Sequence, residues 1–280
     1  MFRKRRKTVF HSNNTAVETE IRQGRDMILA IDMGNTNIEI GCLDHEKIHF
    51  TERVRTDIYK TDLEYAVLIK TIMELNSIVP EQIDGAIISS VVPPLTQVLC
   101  NAVYKITGVR AMVVGAGLRT GMNIKMDNPG TVGADLVVDS VAALREYGAP
   151  CIVIDMGTAT TVTVVDKNKC YIGGAIIPGV MVSLESLVSG TSQLPRISVE
   201  APKKAVGSNT VDSMKSGIVF GQAALIDGMI ERFEDELGYP CKTVATGGLA
   251  GVIIPHCRKE IIIDKMLMLK GLRVIYEKNK

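Results

Sequence analysis

Several absences narrow what this chain of 280 residues can be before any motif is read. No apolar run approaches the roughly 20 residues that a helix needs to span a bilayer, and the basic N-terminal stretch lacks the apolar core of a signal peptide. No membrane partner is expected, and the location expected is cytoplasmic. Charge of one sign is missing too: the formal net charge is +1, so no general basic surface offers itself to nucleic acid. The six cysteines (Cys42, Cys100, Cys151, Cys170, Cys241, Cys257) contain no C-x-x-C pair, and several sit in strand-like apolar runs, which predicts buried free thiols. The four histidines (His11, His45, His49, His256) never fall at zinc-ligand spacing, so no zinc site is expected.

What remains is a well-cored chain, 46% apolar, long enough for two packed domains. It repeats itself. Ile28-Leu29-Ala30-Ile31-Asp32-Met33-Gly34-Asn35-Thr36-Asn37 returns as Cys151-Ile152-Val153-Ile154-Asp155-Met156-Gly157-Thr158-Ala159-Thr160. Each copy is an apolar run, a turn of small polar residues and a second β-rich run, Ile38 to Leu43 or Thr161 to Val165, which reads as strand, tight turn, antiparallel strand. In such a turn glycine lets backbone N–H groups approach a ligand closely, Asn and Thr add donors, and the Asp can hold a hydrated cation. Two such hairpins facing each other make a phosphate clamp.

Between and after the copies, strands and helices alternate. Asp62 to Asn76 has helical spacing with acidic residues early; Ile83 to Val92 is β-like; Pro93 and Pro94 open a helix to about Thr107; Ala111 to Val114 is a short strand. Asn128 to Asp135 is a loop entering a helix that runs through Tyr147 and is closed by Gly148, with Asp135 in its first turn. The second half is read as hairpins through Gly173-Gly174 and Pro178-Gly179, helices over Met181–Ser189 and Thr210–Leu237, a strand over Cys241–Ala245, and a Thr246-Gly247-Gly248 turn entering another helix. The Lys265 to Lys270 stretch opens a last helix that docks on the first domain. The expected organisation is 1–26 as a disordered tail or misassigned start before Met27, 27–148 as the first domain and 149–280 as the second. The fold class is α/β, with mixed sheets flanked by helices and an interdomain cleft as the binding site. The Arg3-Lys4-Arg5-Arg6 run is read as part of a solvated tail.

A single D-x-G at a strand end is ordinary hairpin chemistry. Two copies in matching contexts, with a later T-G-G-x-x-G, point to nucleotide binding. This set resembles the actin, Hsp70 and sugar-kinase superfamily of duplicated ribonuclease-H-like (actin-like ATPase) domains. Within it the residues resemble type III pantothenate kinases: D-x-G-N-T-N at Asp32–Asn37, S-S-V-V-P at Ser89–Pro93, N-P-x-x-V-G-A-D at Asn128–Asp135, and D-x-G-T-A-T-T at Asp155–Thr161. The likeness continues through Gly173–Gly179, Gly207–Thr210 and Thr246–Gly248 and so covers Met27 onward.

The resemblance implies ATP-dependent phosphorylation of pantothenate to 4′-phosphopantothenate in coenzyme A synthesis, by a homodimer with its substrate pocket near the interface. It implies a first phosphate loop made of Asp32, Met33, Gly34, Asn35, Thr36, Asn37, Ile38 and Glu39, with Asp32 ordering Mg²⁺ through water, and an ATP contact at Thr158. Asp155 would be a monovalent-cation ligand (K⁺ or NH₄⁺), Asp135 the proton acceptor, and Gly133, Ala134, Asp135, Leu136 and Thr210 the substrate contacts. A carboxylate in a first helical turn is favoured as the anion, so that feature should not raise the pKa of Asp135, which is expected to be ionised. From spacing alone Asp135 reads first as a helix N-cap, a preference that the family motif reverses, and Thr210 can also cap the helix that follows it.

Two residues depart from the family pattern. Leu136 stands where many members have arginine, and Met126 where a substrate-contacting tyrosine is common. An arginine could grip a carboxylate with paired charge-assisted bonds, so its loss is worth roughly 1.5 to 3 kcal/mol unless a cation such as Lys125 or Arg119 compensates. These departures keep two alternatives in view: a same-fold kinase for another small hydroxylated acid or polyol, and a non-catalytic nucleotide-binding regulator.

Overall fold

The computed structural model describes residues 27–280, so the readings made for residues 1–26 lie outside the described residues. Two sheets carry the fold. Strands β1 (Met27–Met33), β2 (Asn37–Leu43), β3 (Ile48–Arg55), β4 (Ile83–Ser90) and β5 (Met112–Val113) form the first sheet, in the order β3-β2-β1-β4-β5. The second contains β6 (Asn123–Ile124), β7 (Cys151–Met156), β8 (Ala159–Val165), β9 (Cys170–Pro178), β10 (Lys242–Thr246) and β11 (Ile262–Ile263), in the order β11-β10-β7-β8-β9-β6. In each, the repeated motif is an antiparallel hairpin, and its first strand pairs in parallel with a later one: β1 with β4, β7 with β10. Strand β6 joins the second sheet by pairing with β9, although it precedes residue 148 in the chain.

Period-two alternation places each central strand between two apolar layers. Along β1, Ile28 and Ala30 face a cluster shared by both sheets, while Met27, Leu29 and Ile31 face the opposite way. Along β7, Cys151 and Val153 enter the shared cluster and Ile152 and Ile154 the outer one. The outer layer on the first sheet is α1 (Asp62–Leu75) and α2 (Pro93–Thr107); on the second it is α4 (Val180–Ser189) and α5 (Thr210–Leu237). Between the sheets lie α3 (Ala134–Glu146) and, after the short α6 (Ala250–Ile253), the terminal α7 (Leu267–Asn279). Full burial of side chains such as Leu29 and Ile31 is worth about 1.5–3 kcal/mol each. Helix α7 packs on α3, β1 and β4, which makes the two halves share one core.

Local chemistry sets the helix ends. Thr61 and Glu64 close a reciprocal capping box at α1, Pro93 begins α2, and Gly108 ends it with φ 73°. Asn209, not Thr210, caps α5 by accepting the Asp212 N–H at 2.9 Å.

The expected hairpins through Gly173-Gly174 and Pro178-Gly179 are corrected. Residues 170–178 form one continuous strand, β9, and Pro178-Gly179 leads directly into α4. A Cβ on Gly174 would lie 2.0 Å from the Val162 carbonyl oxygen, and one on Gly179 would lie 2.1 Å from that of Thr158. These glycines permit close backbone approach rather than a chain reversal. The reversal between β8 and β9 is instead at Asp166–Lys169, where Asp166 accepts the N–H groups of Asn168 and Cys170 at 2.8 and 2.9 Å.

Candidate active site

The two repeated hairpins meet at their turns. Gly34, Asn35 and Thr36 connect β1 to β2, and Gly157 and Thr158 connect β7 to β8; the Thr36 and Thr158 hydroxyls share a hydrogen bond of 3.0 Å across the halves. The first turn is pinned from behind, because Thr56 donates its hydroxyl to Gly34 O at 2.7 Å and its N–H to Thr36 O at 3.0 Å. Register sets Asp32 opposite Glu39 and Asp155 opposite Thr161. All four border a cleft of about 510 Å³ between the halves. A third turn closes one side: Thr246, Gly247 and Gly248 follow β10, and Gly247 has φ 93°. A Cβ there would fall 2.6 Å from Asp155 Oδ1, so only glycine lets this backbone lie against that carboxylate.

Of the expected phosphate loop, Asp32, Gly34, Asn35, Thr36, Asn37 and Glu39 line the cleft together with Thr158. Met33 and Ile38 do not; both are fully buried in the outer core, as alternation requires of residues flanking inward-facing partners. Val91, from the S-S-V-V-P segment, lines the cleft and ties β4 to β1 by donating its N–H to Met33 O at 3.0 Å.

Asp135 enters from the start of α3. Gly133 is the cap position of that helix, so Asp135 is not its N-cap; its Oδ1 accepts the Leu136 N–H at 2.9 Å and the carboxylate borders the cleft. Gly133 and Ala134 flank it without lining the cleft, and Leu136 and Ala134 pack against the shared apolar cluster. Thr210 lies elsewhere, in a shallow apolar recess with Leu187, Leu194 and Met214. Lys125 and Arg119 stand outside the cleft, whose cationic residues are Arg53 from β3 and Lys265 just before α7.

The electrostatics are dominated by buried like charge. Burial pushes Asp32 up from 3.8 to about 7, and the charges of Asp135, Asp155 and Glu39 add to it; the Ser89 hydroxyl opposes the shift although it closes no hydrogen bond of good geometry. Asp155 is raised to about 7, first by burial and then by Asp135 and Glu39, with Arg53 pulling the other way. Glu39 is raised by burial against the opposing Thr51 bond and Arg53. Asp135 is likewise raised. Its helix-terminal N–H groups act in the expected direction, but burial outweighs them, which corrects the expectation of an unraised pKa. Asp139, one helical turn beyond Asp135, also borders the cleft and is raised well above 3.8 by burial and by these same neighbours. Sequence reading missed Asp139, Arg53 and Lys265. The i, i+4 spacing from Asp135 signals Asp139 once that face of α3 is known to meet the cleft.

Hard cations bound by oxygen suit this donor set. Among the described residues no three His, Cys, Asp or Glu side chains converge on one point as a complete metal cage, so a bound Mg²⁺ would take most of its shell from water and phosphate. Asp32 and Asp155 are the strand-end carboxylates that line the cleft.

Two halves of related topology, each contributing a glycine turn and a strand-end aspartate to a shared cleft, define an ATP-dependent phosphotransferase of the actin-like ATPase fold. Residues 28–232 match the profile of the type III pantothenate kinase family. The chain is 44% identical over 253 residues to the type III pantothenate kinase of Halalkalibacterium halodurans, covering 90% of this chain and all of that protein. The chain belongs to the type III pantothenate kinase family and is a kinase. Among solved structures it is similar to a conserved Baf family protein of Campylobacter jejuni described as a candidate transcriptional activator (TM-score 0.57, 19% identity, covering 90% of this chain and 98% of that one). It is also similar to component A of (R)-2-hydroxyglutaryl-CoA dehydratase from Acidaminococcus fermentans (TM-score 0.52, 15% identity, covering 91% and 99%). These two likenesses establish the fold alone.

Proposed function

We propose that the chain transfers the γ-phosphoryl group of ATP to the primary hydroxyl of pantothenate, giving 4′-phosphopantothenate, the first step of coenzyme A synthesis, with Asp135 as proton acceptor. The observation that carries the assignment of Asp135 is its position: inside α3 rather than at its cap, and facing the same cleft as the Asp32 and Thr158 turns. A carboxylate whose pKa is raised by burial is a stronger proton acceptor than a solvated one. Because phosphoryl transfer is largely dissociative, Asp135 acts chiefly by orienting the hydroxyl and takes its proton late.

In this reading the Gly34 to Asn37 turn and Thr158 hold the phosphates, and Arg53 and Lys265 add positive charge to the cleft. Asp32 would hold Mg²⁺ through water and Asp155 a monovalent cation, K⁺ or NH₄⁺. When bound, the divalent ion supplies neutralisation of charge on the transferring phosphoryl group. The homodimer belongs to the proposal as well. Ile176, Met181, Val206 and Val211 are exposed apolar residues on β9, α4, the α4–α5 connection and α5, and a second copy would cover them. Thr210, outside the cleft of its own chain, would then contact substrate at that interface. No helix among the described residues is long and apolar enough to cross a membrane, and six free thiols suit the reducing cytoplasm.

The test is pantothenate-dependent ADP release with Mg²⁺ and K⁺, with the product confirmed by mass spectrometry, for the natural chain and for Asp135→Asn. Turnover in the first that falls by about 10²–10⁴ in the second is expected. Equal kcat in both would overturn the role of Asp135, and no turnover with pantothenate despite ATP binding would overturn the substrate.

A further inference from the structure

Strand pairing sets Asp32, Glu39 and Arg53 in one row across β1, β2 and β3, each opposite the next, and all three border the cleft. An arginine opposite a glutamate ordinarily closes an ion pair. Here Glu39 is engaged by the Thr51 hydroxyl, which donates to its Oε1 at 3.3 Å, and among the described residues no ion pair holds Arg53. The guanidinium turns to the other half of the molecule. A Cβ on Gly248 would lie 3.0 Å from Arg53 Nη1, so the cationic end rests against the turn that follows β10. Arg53 thus reaches across the cleft from the edge strand of the first sheet. It also marks one end of that cleft. Helix α3, which carries Asp135, packs on β7 and β8, whereas the Gly247-Gly248 turn follows β10, on the opposite side of β7. Two strand spacings, roughly 10 Å, separate the Cα atoms of Asp32 and Arg53.

We propose that Arg53 is a nucleotide-binding residue whose guanidinium takes the phosphates of ATP that are not transferred, donating paired N–H bonds to their oxygens. The inference rests on the reading of ATP as phosphoryl donor. A guanidinium fork matches two oxygens of a phosphate, and an arginine free of an ion pair breaks none when the anion arrives. The cleft is otherwise lined by the carboxylates of Asp32, Glu39, Asp135, Asp139 and Asp155, so a polyanion needs a fixed cation beside its path. Which phosphates it meets follows from the two ends. The group being transferred faces Asp135 on the α3 side, and the phosphates that stay behind lie towards the Gly247-Gly248 turn, where Arg53 waits. A bond to these groups is the same before and during transfer, so it strengthens the hold on ATP and on ADP without accelerating the chemical step.

The experiment compares the natural full chain with Arg53→Gln and Arg53→Lys, by steady-state kinetics with ATP and pantothenate and by calorimetric binding of ADP. Matching melting temperatures show that the variants fold, as expected at an exposed position on an edge strand. In Arg53→Gln the KM for ATP and the dissociation constant of ADP rise together by about 10- to 100-fold, while kcat stays within about threefold and the KM for pantothenate is unchanged. Arg53→Lys recovers part of the loss, because an ammonium keeps the charge and gives up the paired geometry. Unchanged KM for ATP and unchanged ADP affinity in Arg53→Gln would overturn the assignment. A fall in kcat with both affinities kept, or a KM for ATP that rises while ADP affinity does not, would put Arg53 on the transferred group and overturn it equally. A natural chain that binds ADP more tightly than Arg53→Gln but does not phosphorylate pantothenate would support Arg53 and overturn only the substrate.

Discussion

Raising the pH from 5 to 7 should destabilise the chain when no metal cation is present. Asp32 and Asp155 sit at about 7 in the folded state against an ordinary value of 3.8. Across that interval the folded chain holds protons that the unfolded chain has already released, so stability falls as pH rises towards 7. For one carboxyl shifted this far, the loss between pH 5 and pH 7 is roughly 2 kcal/mol, and the pair, whose charges raise one another, loses more than one but not a simple sum. Asp44 works in the opposite direction further down. There the Lys47 and Glu46 N–H groups and the His49 ring outweigh burial and hold the carboxyl at about 2, so its contribution is present above 3.8 and disappears only as pH falls towards 2. On these three groups stability should therefore peak between about pH 3 and 4. The chain lacks tryptophan, so urea unfolding is followed by far-ultraviolet circular dichroism, in choline buffers of constant ionic strength. With a slope of about 3 kcal/mol per molar, the midpoint drops by about 1 M between pH 5 and 7. A midpoint that stays level or rises would refute the claim that burial dominates these carboxylates.

Thr158→Val removes the hydroxyl shared with Thr36; losing a bond worth about 1 kcal/mol should raise the KM for ATP about fivefold with little change in melting temperature, measured by steady-state kinetics. Gly271→Ala puts a Cβ 2.2 Å from the Val138 carbonyl oxygen, backbone against backbone where α7 meets α3, and should cost about 1–3 kcal/mol of stability in urea unfolding. Leu136→Arg replaces a side chain packed in the shared core by a cation, and the expected result is lost stability with no gain in pantothenate affinity; a lower KM for pantothenate would show that position 136 reaches the substrate.

The repeated hairpins and the longer helices were legible because their side chains carry their own signal: alternation in Ile28–Met33, capping chemistry at Thr61, and Pro93 at a helix start. Strand β3 was not, because it is partly exposed and its HFTERVR run alternates poorly. The two-residue strands β6 and β11 exist through the neighbours they pair with, which no local pattern encodes. The glycines of β9 misled for a related reason. Glycine in a turn and glycine under a crossing carbonyl look alike in sequence, and only the position of Val162 O distinguishes them. In the site, the strand-end aspartates were readable from the repeat. Asp139, in the run Val137-Val138-Asp139-Ser140, reads as one polar residue on a core helix until the helix is seen between two sheets.

Duplication supplied the frame, and the differences between the copies supply the chemistry. The first turn is longer by one residue, since Met33 pairs with Ile38 but Met156 with Thr160, so the two loops cannot present equivalent groups to a chain of phosphates. The central helices diverge more. Helix α3 closes the first half and α7 the second; they pack on each other, and both begin beside the cleft. At the start of α3 the chain carries Asp135, followed by Asp139, whereas just ahead of α7 it carries Lys265 and Met266. One half thus offers two carboxylates to the cleft, and the other a cationic side chain. That polarity is what two identical halves could not provide to a reaction in which negative charge passes from donor to acceptor.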